Sequence, residues 1–168
     1  MFKINRKIEY ALVSLKYMSR KSPGQLTSAK EICDAYHTPF DPTSRVLQLM
    51  AQKGILHAEQ GAHGGYQIIK DLTKINVGDL SDIIVGPIKI TDCMHGNYSH
   101  CGLTSSCNVI APMLNLNEKI SEIFHQVTVS ELLEAKHQGE RQIREKPILE
   151  KETSAKAPAA NVGGDLHG

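Results

Sequence analysis

The chain has 168 residues, 40% of them apolar, and 19 Lys/Arg against 18 Asp/Glu give a formal net charge of +1. That suits one ordinary domain, or a small domain with an appendage, and no apolar run approaches the length of a membrane span. The near-neutral total hides an asymmetry: residues 1–70 hold ten Lys/Arg against five Asp/Glu, and residues 71–168 hold nine against thirteen. The N-terminal half therefore suits a polyanionic partner and the C-terminal half does not.

The opening MFKINRKIEYALVSL alternates charged with apolar residues and lacks the uninterrupted apolar core of a signal peptide. The expected location is the cytoplasm, where thiols stay reduced and clustered cysteines serve as ligands or redox sensors rather than disulfides. Ile4, Ile8, Ala11, Leu12, Leu15 and Met18 recur at helical spacing, predicting an amphipathic helix to about Arg20, which Ser22-Pro23-Gly24 breaks. Ser28 and Glu31 have capping-box spacing and start a short second helix burying Ala29, Ile32 and, at its edge, Cys33. Asp41-Pro42 reads as an N-cap followed by proline at the first helical position. The third helix so begun turns Val46, Leu47 and Met50 inward and stops at Gly54.

Residues 55–70, ILHAEQGAHGGYQIIK, place two short apolar stretches around glycines 61, 64 and 65, which predicts a β-hairpin. Three helices and a hairpin in this order are the winged helix-turn-helix pattern, in which the second helix supports a third that enters the DNA major groove, with the hairpin beside it. Asn76 and Asp79 then open a fourth helix with Val77, Leu80, Ile83 and Ile84 inward.

Next comes CMHGNYSHCGLTSSC (93–107), holding three of the four cysteines among small polar residues and two histidines, His95 and His100. Gly96 and Gly102 keep this backbone loose, and soft ligands on a pliable loop point to a bound metal or cluster. Beyond it Val109, Met113, Leu116, Ile120, Ile123 and Val127 are spaced 4, 3, 4, 3 and 4 residues apart, a coiled-coil seam expected to pair with its copy in a homodimer. Pro112 is expected to mark where the regular helix begins. Thr128 and Glu131 form a second capping box for a short closing helix through Leu132 and Leu133. The fold class is thus mainly α with a small β-hairpin wing. It divides into a winged helix-turn-helix domain (1–86), a cysteine-rich loop (87–107), a dimerisation helix with a short closing helix (108–137) and a disordered tail (138–168), whose end is poor in bulky residues.

Over roughly residues 1–136 the chain resembles the winged-helix iron–sulfur regulators of the IscR, NsrR and RirA type. The likeness is carried by YALVSL (10–15), VLQLMAQKGIL (46–56) leading into GAHGGYQI (61–68), and three cysteines ahead of a long helix. It implies that Cys93, Cys101 and Cys107 hold an iron–sulfur cluster whose state sets DNA affinity. Such clusters usually take four ligands, so a fourth must come from elsewhere. Some relatives place a histidine three residues after the last cysteine, where this chain has Ile110. Others use an acidic residue on helix one of the partner subunit, and Glu9 occupies the matching position. Glu9 is preferred over His95 and His100; as a bare sequence position it reads equally as a solvated charge. Three cysteines with a carboxylate fit a 4Fe–4S cluster by analogy with relatives, and three with histidine a 2Fe–2S cluster. Zinc prefers tighter CxxC pairs, but a zinc site and a metal-free thiol switch both stay open.

Thr43, Ser44, Arg45 and Gln48 sit early on the third helix, off its apolar stripe, where they are expected to meet base edges; arginine pairs naturally with guanine and glutamine with adenine. Relatives often carry an arginine just before the wing's first glycine. Here that residue is Gln60, with His63 at the tip as a substitute groove contact. Lys3, Arg6, Lys7 and Lys53 are expected to meet phosphates, giving affinity without sequence choice. The expected partners are a double-stranded DNA operator and a second copy of the chain, with no membrane. An enzyme is disfavoured: the chain has no phosphate loop with lysine, no nucleophile elbow and no HExxH, and GAHGG leads into a strand rather than a helix. An electron carrier would have no use for a helix-turn-helix, which leaves a metal-free winged-helix repressor as the strongest rival.

Overall fold

The computed structural model describes residues 4–61, 63–90 and 106–135. Cys93, Cys101, His95, His100, Lys3 and the expected tail at 138–168 lie outside the described residues.

Asn5 caps the first helix, α1 (Arg6–Ser19), by accepting the Lys7 N–H on its side chain at 3.0 Å. Ile8, Ala11, Leu15 and Met18 form its buried stripe. Ile4 continues that spacing but is 42% exposed, because it precedes the cap and is not in the helix. Helix α2 (Ala29–Tyr36) starts where the Ser28 hydroxyl accepts the Glu31 N–H at 3.1 Å, and it buries Ala29 and Ile32. Its C-cap, His37, is left-handed at φ 53°. Helix α3 (Phe40–Gln52) begins two residues ahead of expectation, with Pro39 rather than Asp41 as N-cap. Pro42 is thereby its third residue, within the first turn, where a missing N–H breaks no intrahelical bond. Gly54, at φ 69°, closes α3, and the Ile55 N–H donates back to the Met50 carbonyl at 2.9 Å.

The hairpin pairs β1 (Leu56–Glu59) with β2 (Gly65–Ile68) antiparallel, from Leu56↔Ile68 to Glu59↔Gly65. Thr27 bridges its free side through two reciprocal backbone hydrogen bonds with Tyr66, each 2.9 Å. Any side chain at residue 65 would foul that bridge: a Cβ there would lie 2.8 Å from the Thr27 carbonyl oxygen. The wing is thus pinned to the residue pair that opens α2.

A 3-10 turn (Leu72–Lys74) leads to α4 (Val77–Ile84), capped by the Asn76 side chain accepting the Asp79 N–H at 2.7 Å. Buried residues from α1 to α4, with Ile55, Leu56, Ile75 and Val129, form one core. Helix α5 (Ile110–Gln126) contributes no buried residue. On its seam Met113, Ile120 and Val127 are half-buried, whereas Val109, Leu116 and Ile123 are exposed by 53%, 46% and 58%. It begins at Ile110 and carries Pro112 at its third position, as α3 carries Pro42.

The C-terminal end of α5 is anchored. The Val77 N–H donates to the Val127 carbonyl (2.9 Å) and the Val129 N–H to the Ile75 carbonyl (2.8 Å). The His125 ring lies on Gly78, where a Cβ would stand 2.5 Å from it. Helix α6 (Val129–Glu134) follows under a complete capping box formed by Thr128 and Glu131, and the Lys16 ammonium of α1 donates to the Leu133 carbonyl near its end.

Candidate nucleic-acid interface and cysteine site

Helix α3 has a core face and an open face. Arg45 and Gln48 are exposed and Ser44 is half-buried, all turned away from Val46, Leu47 and Met50. Thr43 corrects the sequence reading. It is fully buried, and its hydroxyl donates to the Thr38 hydroxyl at 3.0 Å, so it braces the turn between α2 and α3 from inside and has no surface to offer a base. Gln60, just beyond β1, and His63, at the wing tip, are exposed, as are Arg6, Lys7 and Lys53. Gln48 and Gln52 of α3 face Gln60 of the wing across a cleft of about 510 Å³ that also includes Glu59 and Tyr66. Gln52 went unremarked in the sequence; its spacing of four from Gln48 was the available signal.

A cluster that local patterns miss joins the end of α1 to α2. Glu31 sits at the N-terminus of α2, where the Ser28 hydroxyl accepts its backbone N–H. Its carboxylate accepts from the Tyr17 hydroxyl at 2.7 Å and from the Lys21 ammonium. That ammonium also lies 5.1 Å from the centroid of the Tyr17 ring, and the ring meets Tyr36 edge-on at 5.9 Å. Lys21, with help from Tyr17 and Ser28, holds the Glu31 carboxyl below the usual carboxylate range against the opposing effect of burial. The same hydrogen bond pushes the Tyr17 hydroxyl up. The end of α1 is thereby fastened to both ends of α2, on which α3 rests.

At the cysteine site, Cys107 is half-buried three residues ahead of α5 and forms no disulfide. Glu9 projects from the first turn of α1, exposed and without an ion pair among the described residues. Cys33, on α2, is half-buried rather than fully enclosed. No group of three His, Cys, Asp or Glu side chains comes together among the described residues. A thiolate at Cys107 is a soft donor suited to iron–sulfur or zinc chemistry, and partial burial leaves it room to ligate.

Three helices, a hairpin wing held against the second of them and an open polar face on the third make this a winged helix-turn-helix transcriptional regulator and not an enzyme. A family model described as "Iron-dependent Transcriptional regulator" matches residues 4–135, and the chain belongs to that family, Rrf2. It is 21% identical over 125 residues to the HTH-type transcriptional regulator NsrR of Shouchella clausii (strain KSM-K16), covering 74% of this chain and 84% of that one. It is 24% identical over 120 residues to NsrR of Bacillus subtilis (strain 168), covering 71% and 77%. Among solved structures it is similar to CymR (YrzC), the global cysteine regulator of B. subtilis, at TM-score 0.59 and 18% identity, over 82% of this chain and 100% of that one. For T. potens IscR the values are 0.54 and 16%, over 79% and 86%. These structural likenesses speak for the fold. No helix among the described residues is long and apolar enough to cross a membrane.

Proposed function

We propose that this regulator is a homodimer whose operator affinity is set by an iron–sulfur cluster on Cys93, Cys101 and Cys107, with Glu9 of the partner subunit as fourth ligand. The observation that carries the reading is a three-cysteine run ending in a half-buried, unpaired thiol directly ahead of α5, in a chain of an iron-dependent regulator family. The cluster would supply a labile centre responsive to iron supply, nitric oxide or redox state.

The rest is done by the protein's own parts. Cys107 is joined to α5, α5 is locked to α4 at His125 and Val127, and α4 packs on α1 and α3. A change at the loop therefore has a packed route to the open face of α3. Arg45, Gln48 and Ser44 meet bases, Gln60 and His63 meet the groove beside them, and Lys3, Arg6, Lys7 and Lys53 meet phosphates. The exposed seam of α5 is covered by its copy, and the cytoplasm is where such a protein works.

The test is the visible absorption of protein purified without oxygen, followed by titration of one DNA duplex with holo and apo protein at fixed salt. A coloured protein is expected, with Cys93→Ala, Cys101→Ala and Cys107→Ala each colourless but folded and Cys33→Ala still coloured. The two forms should differ at least tenfold in affinity, about 1.4 kcal/mol. A colourless wild type would favour a zinc site or a metal-free thiol switch, and identical titrations would remove the sensing role.

A further inference from the structure

Phe40 opens α3 and stands 54% exposed, although the same helix buries Val46, Leu47 and Met50 completely. Phe40, Ser44 and Gln48 follow one another at intervals of four, so they form one row along the open face, flanked by Asp41 and Arg45. The Asp41 carboxylate is exposed and has no ion pair among the described residues. A bare phenyl ring beside an unpaired carboxylate is a poor seat for phosphate, which needs cations and hydrogen-bond donors. It is a good match to the floor of a major groove. There cytosine and adenine offer amino donors to a carboxylate, and the thymine C5-methyl is the apolar group on display.

We infer that Phe40 is a specificity-determining residue that covers the C5-methyl of a thymine in the major groove. The inference rests on the DNA-reading role proposed for α3 and adds to it a base that hydrogen bonds alone would not select. Gln48 in the same row and Arg45 beside it would read adenine and guanine by hydrogen bonds, whereas Phe40 reads a shape.

The experiment uses the full chain and duplexes it selects from a randomised pool. Each thymine of a selected duplex is replaced in turn by deoxyuridine, which removes the methyl and keeps every hydrogen bond. Wild-type protein should lose about fourfold in affinity at one or two positions per half-site, the ratio that corresponds to about 0.8 kcal/mol for one buried methyl. Phe40→Ala should bind the thymine and deoxyuridine duplexes equally, and Phe40→Leu should retain most of the discrimination; circular dichroism checks that both fold. Wild-type affinity that is indifferent to deoxyuridine at every position, or a Phe40→Ala protein with the full wild-type ratio, would overturn the inference while leaving the α3 reading intact. A sequence preference that survives Arg45→Ala and Gln48→Ala unchanged would overturn the α3 reading itself, and Phe40 with it.

Discussion

Tyr17 and Glu31 provide a measurable test of how α1 holds the helix-turn-helix. Tyr17→Phe removes the donor and keeps the ring, and Glu31→Ala removes the acceptor. A hydrogen bond to a charged acceptor is worth about 1.5–3 kcal/mol when well shielded. The Glu31 side chain is 39% exposed, so solvent screening brings the expected coupling down to about 1 kcal/mol. The assay is a double-mutant cycle from urea unfolding at one fixed protein concentration, so that effects common to all four proteins cancel. The cycle also has a pH signature. The Glu31 carboxyl is depressed in the folded protein, so its contribution is fully present above the ordinary glutamate value and is lost as pH falls through the depressed one. The coupling should therefore hold from neutral pH to about 5 and shrink in more acid solution. A coupling under about 0.3 kcal/mol at neutral pH, or one that grows on acidification, would refute the reasoning.

Ile123→Glu should turn a dimer into a monomer in sedimentation, since Ile123 is the most exposed of the seam residues at 58% and a charge there opposes pairing without touching the core; a monomeric wild type would sink the seam itself. His37→Gly should raise stability by about 0.5–1 kcal/mol, seen as a higher urea midpoint at unchanged slope, because glycine relieves the left-handed strain and returns part of the gain as unfolded-state entropy. Arg45→Ala and Gln48→Ala should each relax preference at one base position at a cost of about 1–3 kcal/mol if the contact is bidentate. Lys7→Ala should instead weaken binding to every sequence and flatten its salt dependence, and equal effects of both kinds on random DNA would deny base reading by α3.

The winged-helix order was legible because each element is short and marked at its ends. Ser28, Asn76 and Thr128 all cap helices as their spacing predicts. The sequence misleads where polarity is taken for exposure. Thr43 lies three residues before Val46, four before Leu47 and seven before Met50, so helical geometry puts it on the core face whatever its hydroxyl suggests. Ile4 errs the other way, apolar and in phase but outside the helix. The Tyr17–Glu31 bond joins residues 14 apart, and no local pattern announces a contact between two helices. Of the cysteine trio only Cys107 falls among the described residues, so the chemistry of the loop is carried by composition and family rather than by geometry.

The joint between α5 and α4 has a main-chain part. Its two 2.8–2.9 Å hydrogen bonds at Val77 and Val129 join backbone groups, and the His125 ring seated on Gly78 also lies 3.9 Å from the Asp79 carboxylate. Dissolved ions screen charges and leave such backbone bonds nearly untouched. Raising ionic strength in a binding experiment should therefore strip phosphate contacts from the outside of this protein without slackening these two backbone bonds inside it. The slope of affinity against salt then reports chiefly the lysines and arginines on DNA.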